Sequence, residues 1–562
     1  MRPGPRDAWL AAALLFVAYW MSWSLWPALD PGVVQDDARQ HVFWMQRLVD
    51  PSLLRDDLFA HYFASQAPLG YVWIFKMLLA VADPLTASKL LPPVLGLVAA
   101  IFTFLLVDRL YPSGAAAFLA TVLGTWYVWQ YDDLPTGSPR AFLLPLTAML
   151  LYALAAGWRW WLVVGVVAAQ ALIYPSAAVL GVVLVGSRLV TLDCWPPRLA
   201  SDWRAWRTVV VCGVVCLVLL APTVFGSSQF GPTVDATTAR AMPEFGPGGR
   251  NAFFSPDPYE YWIVSYRSGF DLRVSDLLVA GLPILYELLA LACLLPVAAV
   301  ARRWRPGGPS LAPAVWMVVQ IVTASLLLFL AAHALLFRLY LPARFVAWSV
   351  PLALAIAAGV GIVALLESAF GARSPGRSAE WSGVAVGVTV VVLACGLAVY
   401  PARFDGNFVP DRTPAITAYL RELPPDALVV GVPTEADSVP AFSGRRVLIN
   451  REYALAYHLG YYREVERRAR DVIEAYYAES PAPLFELISK YGVTVFLVNR
   501  AAFDPSTAAD AWAGNFAPYT GDVLRRVESR RRFALEDAVR RCGVLTEGDV
   551  TVVPAACLLG MR

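Results

Sequence analysis

Long apolar segments alternate with short polar segments over the first 400 residues of the chain. The apolar segments run to about 17 to 25 residues, the length that a helix needs to cross a hydrocarbon core about 30 Å thick. The pattern predicts about eleven membrane-spanning helices. The short segments 160–173 and 175–190 have an alternative interpretation as one helix kinked at Tyr174-Pro175, because a proline kinks or breaks a helix. The predicted spans are 8–27, 85–107, 113–131, 140–157, 160–173, 175–190, 208–225, 277–300, 311–334, 345–367 and 382–400.

Composition supports an integral, multi-pass membrane protein. Of 562 residues, 58% are hydrophobic and 16% are charged, whereas soluble domains average about 25% charged residues. The formal net charge of +2 gives no indication of nucleic-acid binding. Arginines cluster before the first span and in the loops around residues 188–207, 302–305 and 373–377. Because cytoplasmic loops are enriched in Arg and Lys, we expect a cytoplasmic N-terminus, a retained first span and an outer C-terminus.

The chain divides into two predicted domains. Residues 1–400 form an all-α membrane domain with two long outer loops, 28–84 and 226–276. Residues 401–562 have the composition of a soluble domain, in which short apolar strands alternate with charged helices. This pattern is typical of an α/β fold. Strands are expected at 428–432, 446–449 and 493–498, and helices at 454–478 and 483–491.

Two cysteines, Cys542 and Cys557, fall in this predicted outer domain. A disulfide persists in an oxidising compartment outside the cytoplasm. Their spacing alone leaves a bridge and two free thiols equally open.

The most informative polar feature is the doublet Asp36-Asp37, shortly after the first span. An Asp at the centre of a membrane helix costs about 2.5 to 3.5 kcal/mol, so the pair should lie at the water boundary. If the following residues are helical, Asp37 and His41 share a face, which suits a carboxylate base oriented by a neighbour. The alternatives are a helix cap and a metal site using Asp37 and His41.

Two more acidic doublets lie on the same predicted side. Asp56-Asp57 is in the first outer loop, and Asp132-Asp133 opens the next one. Three such doublets indicate an external active-site cleft. Asp57 is interpreted as a structural cap or a substrate contact, while Asp132 and Asp133 are candidate substrate-binding residues.

Outer arginines run against the usual charge bias of membrane proteins. Arg140, Arg338 and Arg344 all lie at predicted outer ends of spans. The planar guanidinium matches phosphate oxygens, so the three are candidate phosphate-binding residues. The alternative is contact with lipid headgroups. The glycine-rich segment 246–250 in the second long loop is expected to be mobile, as a substrate gate would be.

In this arrangement the chain resembles the GT-C class of membrane glycosyltransferases. The resemblance depends on the Asp36-Asp37 pair in the first outer loop, the later large outer loop and the C-terminal outer domain. The stretch 423–430, Leu-Pro-Pro-Asp-Ala-Leu-Val-Val, is similar to the start of the soluble domain in bacterial members. The resemblance therefore implies a bacterial plasma membrane.

The resemblance implies transfer of a sugar from a polyprenyl-phosphate carrier to an acceptor outside the membrane, with inversion. The acceptor is a glycan, a lipid or a protein. Asp36 or Asp37 would be the general base, and the three outer arginines would stabilise the departing phosphate. The sequence indicates no particular cofactor, and a divalent cation held by Asp36, Asp37 and Asp132 remains an alternative.

Two further functions remain open from sequence alone. A transporter or flippase for a lipid-linked substrate would show internal repeats and charges near the bilayer midplane. We find no repeat, and the charges gather at the ends of the spans. A non-catalytic membrane scaffold would use the charged helix near residues 461–470 as its contact surface.

Overall fold

The computed structural model describes residues 5–129, 134–191, 198–226, 228–271, 278–279, 282–304, 308–370, 384–392, 408–529 and 532–560. Up to residue 392, its helices in chain order are α1 (Pro5–Ala28), α2 (Asp36–His41), α3 (Leu58–Gln66), α4 (Leu69–Leu78), α5 (Pro84–Leu110), α6 (Gly114–Trp129), α7 (Leu143–Ala156), α8 (Trp160–Ile173), α9 (Pro175–Ser187), α10 (Trp203–Phe225), α11 (Ala236–Ala241), α12 (Ile284–Ala292), α13 (Leu294–Trp304), α14 (Ala312–Ala334), α15 (Ser349–Phe370) and α16 (384–392).

Within the described residues, five helical segments are long and apolar enough to cross a membrane: Pro84–Leu110, Pro139–Ala156, Trp203–Thr223, Ala312–Ala334 and Pro342–Phe370. Shorter apolar helices lie at α4, α6, α8 and α9. The chain is thus an integral membrane protein of mainly helical structure. The count of about eleven spans remains a prediction. The break at Tyr174-Pro175 separates α8 from α9, because proline has no amide hydrogen to continue the helix.

Helix α6 lies at the centre of the bundle, where every residue from Ala115 to Trp129 is buried. It packs most closely on α15. A Cβ atom at Gly359 would lie only 2.7 Å from the backbone nitrogen of Ala120, so the absent side chain permits this approach. Helix α10, by contrast, is at the periphery, with 17% of its span buried. The long apolar run of α10 is therefore left for lipid to cover.

Residues 408–560 contain a five-stranded sheet with helices around it. The strands are β6 (Phe408–Pro410), which lies outside this sheet, β7 (Leu428–Gly431), β8 (Arg446–Val447), β9 (Val495–Asn499), β10 (Leu545–Glu547) and β11 (Val550–Pro554). The strand order is β10-β11-β9-β7-β8. Strands β7 and β8, and β7 and β9, are parallel, whereas β9–β11 and β11–β10 are antiparallel. The helices are α17 (Pro414–Glu422), α18 (Pro433–Ala436), α19 (Val439–Ser443), α20 (Leu459–Tyr476), α21 (Ala482–Tyr491), α22 (Ala508–Ala511), α23 (Tyr519–Ser529), α24 (Ala534–Cys542) and α25 (Ala555–Leu559).

Strands β7, β8 and β9 are the three that the sequence predicts, whereas β10 and β11 were not predicted. Cys542 and Cys557 form a disulfide that joins α24 to α25 across the β10–β11 hairpin. The predicted domain boundary at residues 400 and 401 lies outside the described residues, so the division into two domains remains a prediction.

The sheet-containing part is bonded to two segments of the membrane part. Strand β1 (Val33–Gln35) pairs antiparallel with β6. In the second segment, the Val234 amide donates to the Tyr457 carbonyl at 2.8 Å, and the Leu459 amide donates to the Pro232 carbonyl at 3.0 Å. The glycine-rich segment expected to be mobile is also tied, since the Ala517 amide donates to the Gly248 carbonyl at 2.9 Å. The remaining two-residue strands pair locally as β2 (Val190–Thr191) with β3 (Arg198–Leu199), and β4 (Leu278–Val279) with β5 (Leu282–Pro283).

Candidate active site

Asp37 and Arg140 form an ion pair at the end of the bundle that faces the C-terminal sheet. Asp37 lies in the first turn of α2, and Arg140 lies in a 3₁₀-helix, Pro139–Phe142, that leads into α7. Each side chain is 15% exposed. Two residues about 100 positions apart, both candidates from sequence, are therefore brought together in a half-buried pair.

The turn that carries Arg140 is rigidly built. The Ser138 hydroxyl accepts the Arg140 amide at 3.3 Å and contacts the Thr136 hydroxyl at 2.7 Å. Gly137 has a φ of +61°, and a Cβ atom there would lie 2.3 Å from the Ser88 carbonyl oxygen of α5. Its carbonyl accepts a hydrogen bond from the Tyr71 hydroxyl of α4 at 3.0 Å. The backbone under Arg140 is thus fixed against two helices before any ligand binds.

Asp36 points to a different partner, since it forms an ion pair with Arg39 one turn along α2. The helix is capped by Gln35, whose side chain accepts the Ala38 amide at 3.0 Å. Neither Asp36 nor Asp37 is needed as the cap that the sequence left open as an alternative. Both carboxylates instead face guanidinium groups.

Arg39 also belongs to a larger group of mostly buried charges, which we call the charge cluster. It contains three arginines and three carboxylates drawn from α2, the 226–276 segment and the C-terminal sheet region. Its members are Asp36, Arg39, Arg250, Asp437, Arg451 and Glu452.

Glu452 is the centre of the charge cluster, because its carboxylate contacts all three arginines. The Arg250 guanidinium lies 2.6 Å from it and that of Arg39 lies 3.6 Å away, while Arg451 is in direct contact. Burial alone would raise the pKa of Glu452, but the three arginines outweigh it and hold the pKa well below its usual range. Burial raises the pKa of Asp437 against the opposing effect of Arg451.

His41 lies apart from the charge cluster, close to Arg344, which shortly precedes α15. The ring is buried, and burial together with the positive charge of Arg344 lowers the pKa of His41 to about 4. The imidazole is therefore neutral at pH 7. Its ring packs edge-on against Phe63, with centroids 6.0 Å apart. The ion pair of Asp37 is with Arg140 rather than with His41, while Arg344 is half-buried and Arg338 is exposed.

The second doublet has a structural environment. Asp57 is 4% exposed, and its carboxylate accepts the Ala60 amide at 2.7 Å as the N-cap of α3. Burial raises the pKa of Asp57 to about 6. Asp56 is exposed, with a φ of +56°. The cap is thus the interpretation of Asp57 that the geometry favours, and a substrate contact remains a prediction. Asp132 and Asp133 lie outside the described residues.

A divalent cation would need several oxygen or nitrogen ligands in one place. Within the described ranges, no group of three or more His, Cys, Asp and Glu side chains is arranged to hold a metal ion. A site that uses Asp132 lies beyond those ranges.

A cavity of about 210 Å³ adjoins the charge cluster. Arg39, Asp437 and Arg451 of the cluster line it together with Arg412 and Thr413. Solvent-sized molecules therefore reach the edge of the cluster although its centre is closed.

Sequence reasoning missed Arg39, Arg250, Asp437, Arg451 and Glu452. Charged residues in a soluble-looking domain are ordinarily exposed, so Glu452 gave no signal by itself. Arg250 did carry a sequence signal, since it is an arginine on the predicted outer side, like the three candidate phosphate-binding arginines.

No family model matches the chain, and no curated protein matches it. Among solved structures, it is similar to the oligosaccharyltransferase AglB of Archaeoglobus fulgidus. The TM-score is 0.54 at 11% identity for the apo form, and 0.52 at 11% for a form tethered by a disulfide to an acceptor peptide with an NVT sequon. It is 0.52 at 12% for a complex with an inhibitory peptide and a dolichol-phosphate. Each alignment covers 92% of this chain and 72% of AglB. The chain therefore has the fold of the GT-C class of membrane glycosyltransferases, as its resemblance predicted.

Proposed function

We propose that this protein is a membrane glycosyltransferase that moves a sugar from a polyprenyl-phosphate donor to an acceptor hydroxyl at the membrane surface. The observation that carries the proposal is the Asp37–Arg140 ion pair, held at the end of a GT-C-type bundle next to the C-terminal sheet. The pair combines a carboxylate able to take a proton with a guanidinium suited to phosphate.

In the proposed reaction, the acceptor oxygen attacks the anomeric carbon while Asp37 takes the hydroxyl proton. The bond between that carbon and the phosphate oxygen breaks, and its electron pair leaves on the phosphate. Since a phosphate leaves as an anion, it needs charge stabilisation rather than a proton. One displacement inverts the anomeric centre, and a second carboxylate is not required.

Arg140 has two partners in this mechanism. Before donor binding it holds Asp37, and in the complex its planar group turns towards the donor phosphate, releasing the carboxylate to act as base. Donor binding and activation of the base are then one event. Arg344, which lies near His41 on the neighbouring 3₁₀-helix Pro342–Phe345, would supply the second positive charge.

Asp36 has a different proposed role, because its partner Arg39 is also held by Glu452 and Ser438 and so stays beside it. We assign it to orienting α2 and assign proton transfer to Asp37. Arg338, which is exposed, is assigned to lipid phosphate at the rim. The surrounding lipid, a lipid-linked sugar and a glycan, lipid or protein acceptor are the proposed partners, and the proposed location is a bacterial plasma membrane.

The test uses purified protein in liposomes with a panel of polyprenyl-phosphate sugars and measures released polyprenyl phosphate. Asp37→Asn should abolish release while leaving donor binding intact. Asp56→Asn is the matched control, because it makes the same change in a neighbouring doublet and asparagine tolerates the positive φ of that position. Unchanged turnover in Asp37→Asn would remove Asp37 from the mechanism.

The same liposomes distinguish the alternatives. Movement of intact donor between leaflets without release of polyprenyl phosphate would favour the transporter. A lack of both donor binding and release across the panel would favour the scaffold.

A further inference from the structure

Helix α2 is too short to hold its own geometry. It has six residues, and isolated helices shorter than about 12 to 15 residues are marginal in water. The positions of Asp36 and Asp37 must therefore be set by contacts from elsewhere.

Those contacts come largely from the C-terminal sheet region. Arg39 donates to the Ser438 hydroxyl at 3.1 Å, and its carbonyl accepts the Tyr453 hydroxyl at 3.1 Å. Gln40 donates to the backbone carbonyl of Glu452. Helix α2 is thus bonded on one face to residues 438–453, while Asp37 extends to Arg140.

Glu452 lies where these contacts meet. Its side chain is 5% exposed, and it is the acidic partner of Arg39, Arg250 and Arg451. Each arginine comes from a different part of the chain: α2, the 226–276 segment and the C-terminal sheet region. One carboxylate therefore fixes the relative position of three segments.

We propose that Glu452 is a positioning residue, which acts through Arg39 to hold α2 so that Asp37 faces Arg140. This inference rests on the proposed function. It extends the candidate site to a residue that touches neither Asp37 nor Arg140 in the described contacts.

The charge balance of the cluster gives the physical reason. Three guanidinium groups face three carboxylates, so the cluster is neutral. Removing the charge of Glu452 leaves one excess positive charge among buried groups, which is unfavourable in a medium of low dielectric constant. Arg39 then moves away from Arg250 and Arg451, and α2 moves with it. A displacement of about 1 Å at a reacting group costs roughly 100-fold in rate.

The experiment compares Glu452→Gln, Glu452→Asp and wild-type protein in the liposome assay. For Glu452→Gln we expect kcat to fall about 10- to 100-fold, as for a misplaced reacting group. The donor KM should change less than about twofold, since the Arg140 turn is held independently. Glu452→Asp retains the charge and should recover part of the loss. Glu466→Gln is the matched control, because it breaks an exposed pair with Arg470 in the same region.

Hydrogen exchange supplies a readout that does not depend on turnover. Amides of residues 36–42 should exchange faster in Glu452→Gln than in wild-type protein, while those of α20 remain protected. If Glu452→Gln does not fold, Gln40→Met removes the α2 contact with the Glu452 carbonyl without altering any charge. It should produce the same change in exchange with a smaller loss of kcat.

The outcomes separate this inference from the proposed function. Full kcat in Glu452→Gln beside an inactive Asp37→Asn would overturn the positioning role alone. Unaltered exchange at residues 36–42 would overturn it even if no donor is turned over. A large rise in donor KM at constant kcat would assign Glu452 to binding instead, which also contradicts positioning.

Discussion

The doublets Asp36-Asp37 and Asp56-Asp57 have the same sequence but opposite surroundings. Both members of the first doublet form ion pairs with arginines. In the second, Asp57 is a buried cap of its own helix and Asp56 is exposed. The first doublet is thus held within an electrostatic site, whereas the second is part of the local folding of α3.

The difference lies in where the partners come from. Arg140 lies about 100 residues after Asp37, and Arg39 links Asp36 to Glu452 of the C-terminal region. The Asp57 carboxylate accepts its hydrogen bond from the amide of Ala60, only three residues away. Distant partners cost conformational entropy to assemble, so a charged pair assembled in this way calls for a reason beyond local stability.

After the complete loss expected for Asp37→Asn, the largest effect is expected at its partner Arg140. Arg140→Ala leaves the buried Asp37 carboxylate without its ion pair and removes a phosphate-binding group, so kcat should fall about 10²- to 10³-fold. Arg140→Lys retains the charge but not the forked geometry, so it should recover only part of the activity that Arg140→Ala loses. Steady-state release of polyprenyl phosphate measures both, with exposed Arg463→Ala as the control. If Arg140→Ala and Arg140→Lys both kept the activity of the Arg463→Ala control, the ion pair of the first doublet would have no role in turnover, as expected for the second doublet.

The second effect concerns pH and stability at Asp57. The pKa of Asp57 is raised by burial to about 6, above its value near 3.9 in an unfolded chain. Its contribution to stability is therefore complete below about pH 4 and is lost as pH rises through 6. Asp57→Asn stays neutral and keeps a good cap, so it should be more stable than wild-type protein by about 1 to 3 kcal/mol at pH 8.

The measurement is Tm in detergent between pH 4 and 8, where the variant and wild-type curves should converge at the acidic end. A constant difference across this range would contradict the buried titration. A raised KM in the same variant would instead support the predicted substrate contact of Asp57.

A smaller effect is expected at Asp36. Its side chain is 32% exposed, and Arg39 keeps Glu452 and Ser438 as partners when Asp36 is neutral. Asp36→Asn should lower kcat by about tenfold at most, equivalent to about 1.4 kcal/mol. Kinetics of the Asp36→Asn and Asp37→Asn single variants check this. A loss as complete as that of Asp37→Asn would move the base from Asp37 to Asp36.

The smallest effect is expected at Asp56. The side chain is exposed, and asparagine is among the few residues that adopt a positive φ readily. Asp56→Asn should change stability by less than about 0.5 kcal/mol and leave turnover unaltered. Thermal unfolding and the release assay both report on it. Impaired turnover would show that the second doublet does reach the reaction.

Much of the fold could be predicted because its signals are local. Apolar runs indicated the membrane helices, and β7, β8 and β9 stood out as apolar strands between charged helices. Strand β10 was missed because Leu545–Glu547 is short and mostly polar, and its pairing becomes apparent only beside β11. Strand β11 does carry the local apolar signal in Val550–Pro554, and sequence reasoning passed over it. Strand β1 pairs with β6 across most of the chain, and no local pattern indicates such a partner.

The candidate site could be predicted only in part, for the same physical reason. Asp37 was a candidate because a charge inside a membrane helix is costly, so an acidic doublet beside a span marks the water boundary. Arg140 was a candidate because arginine is less common on the outer side. Glu452 and Asp437 lie in a charged, soluble-looking region where an acidic residue is ordinary. In its buried position Glu452 is paired with Arg39 and Arg250, which come from distant segments, and Asp437 is paired with Arg451.

The separation along the chain between α2 and its partners also determines when the contacts of α2 can form during biosynthesis. The hydrogen bond from Tyr453 to Arg39 joins residues 414 positions apart. Ribosomes add about 5 to 20 residues per second, so the interval between synthesis of α2 and synthesis of Tyr453 is on the order of 20 to 80 s. Throughout that interval α2 lacks the hydrogen bonds to residues 438–453 that fix its position. A polypeptide that ends before residue 453 lacks the Tyr453 contact, so the complete set of contacts around α2 forms only after that residue has been made.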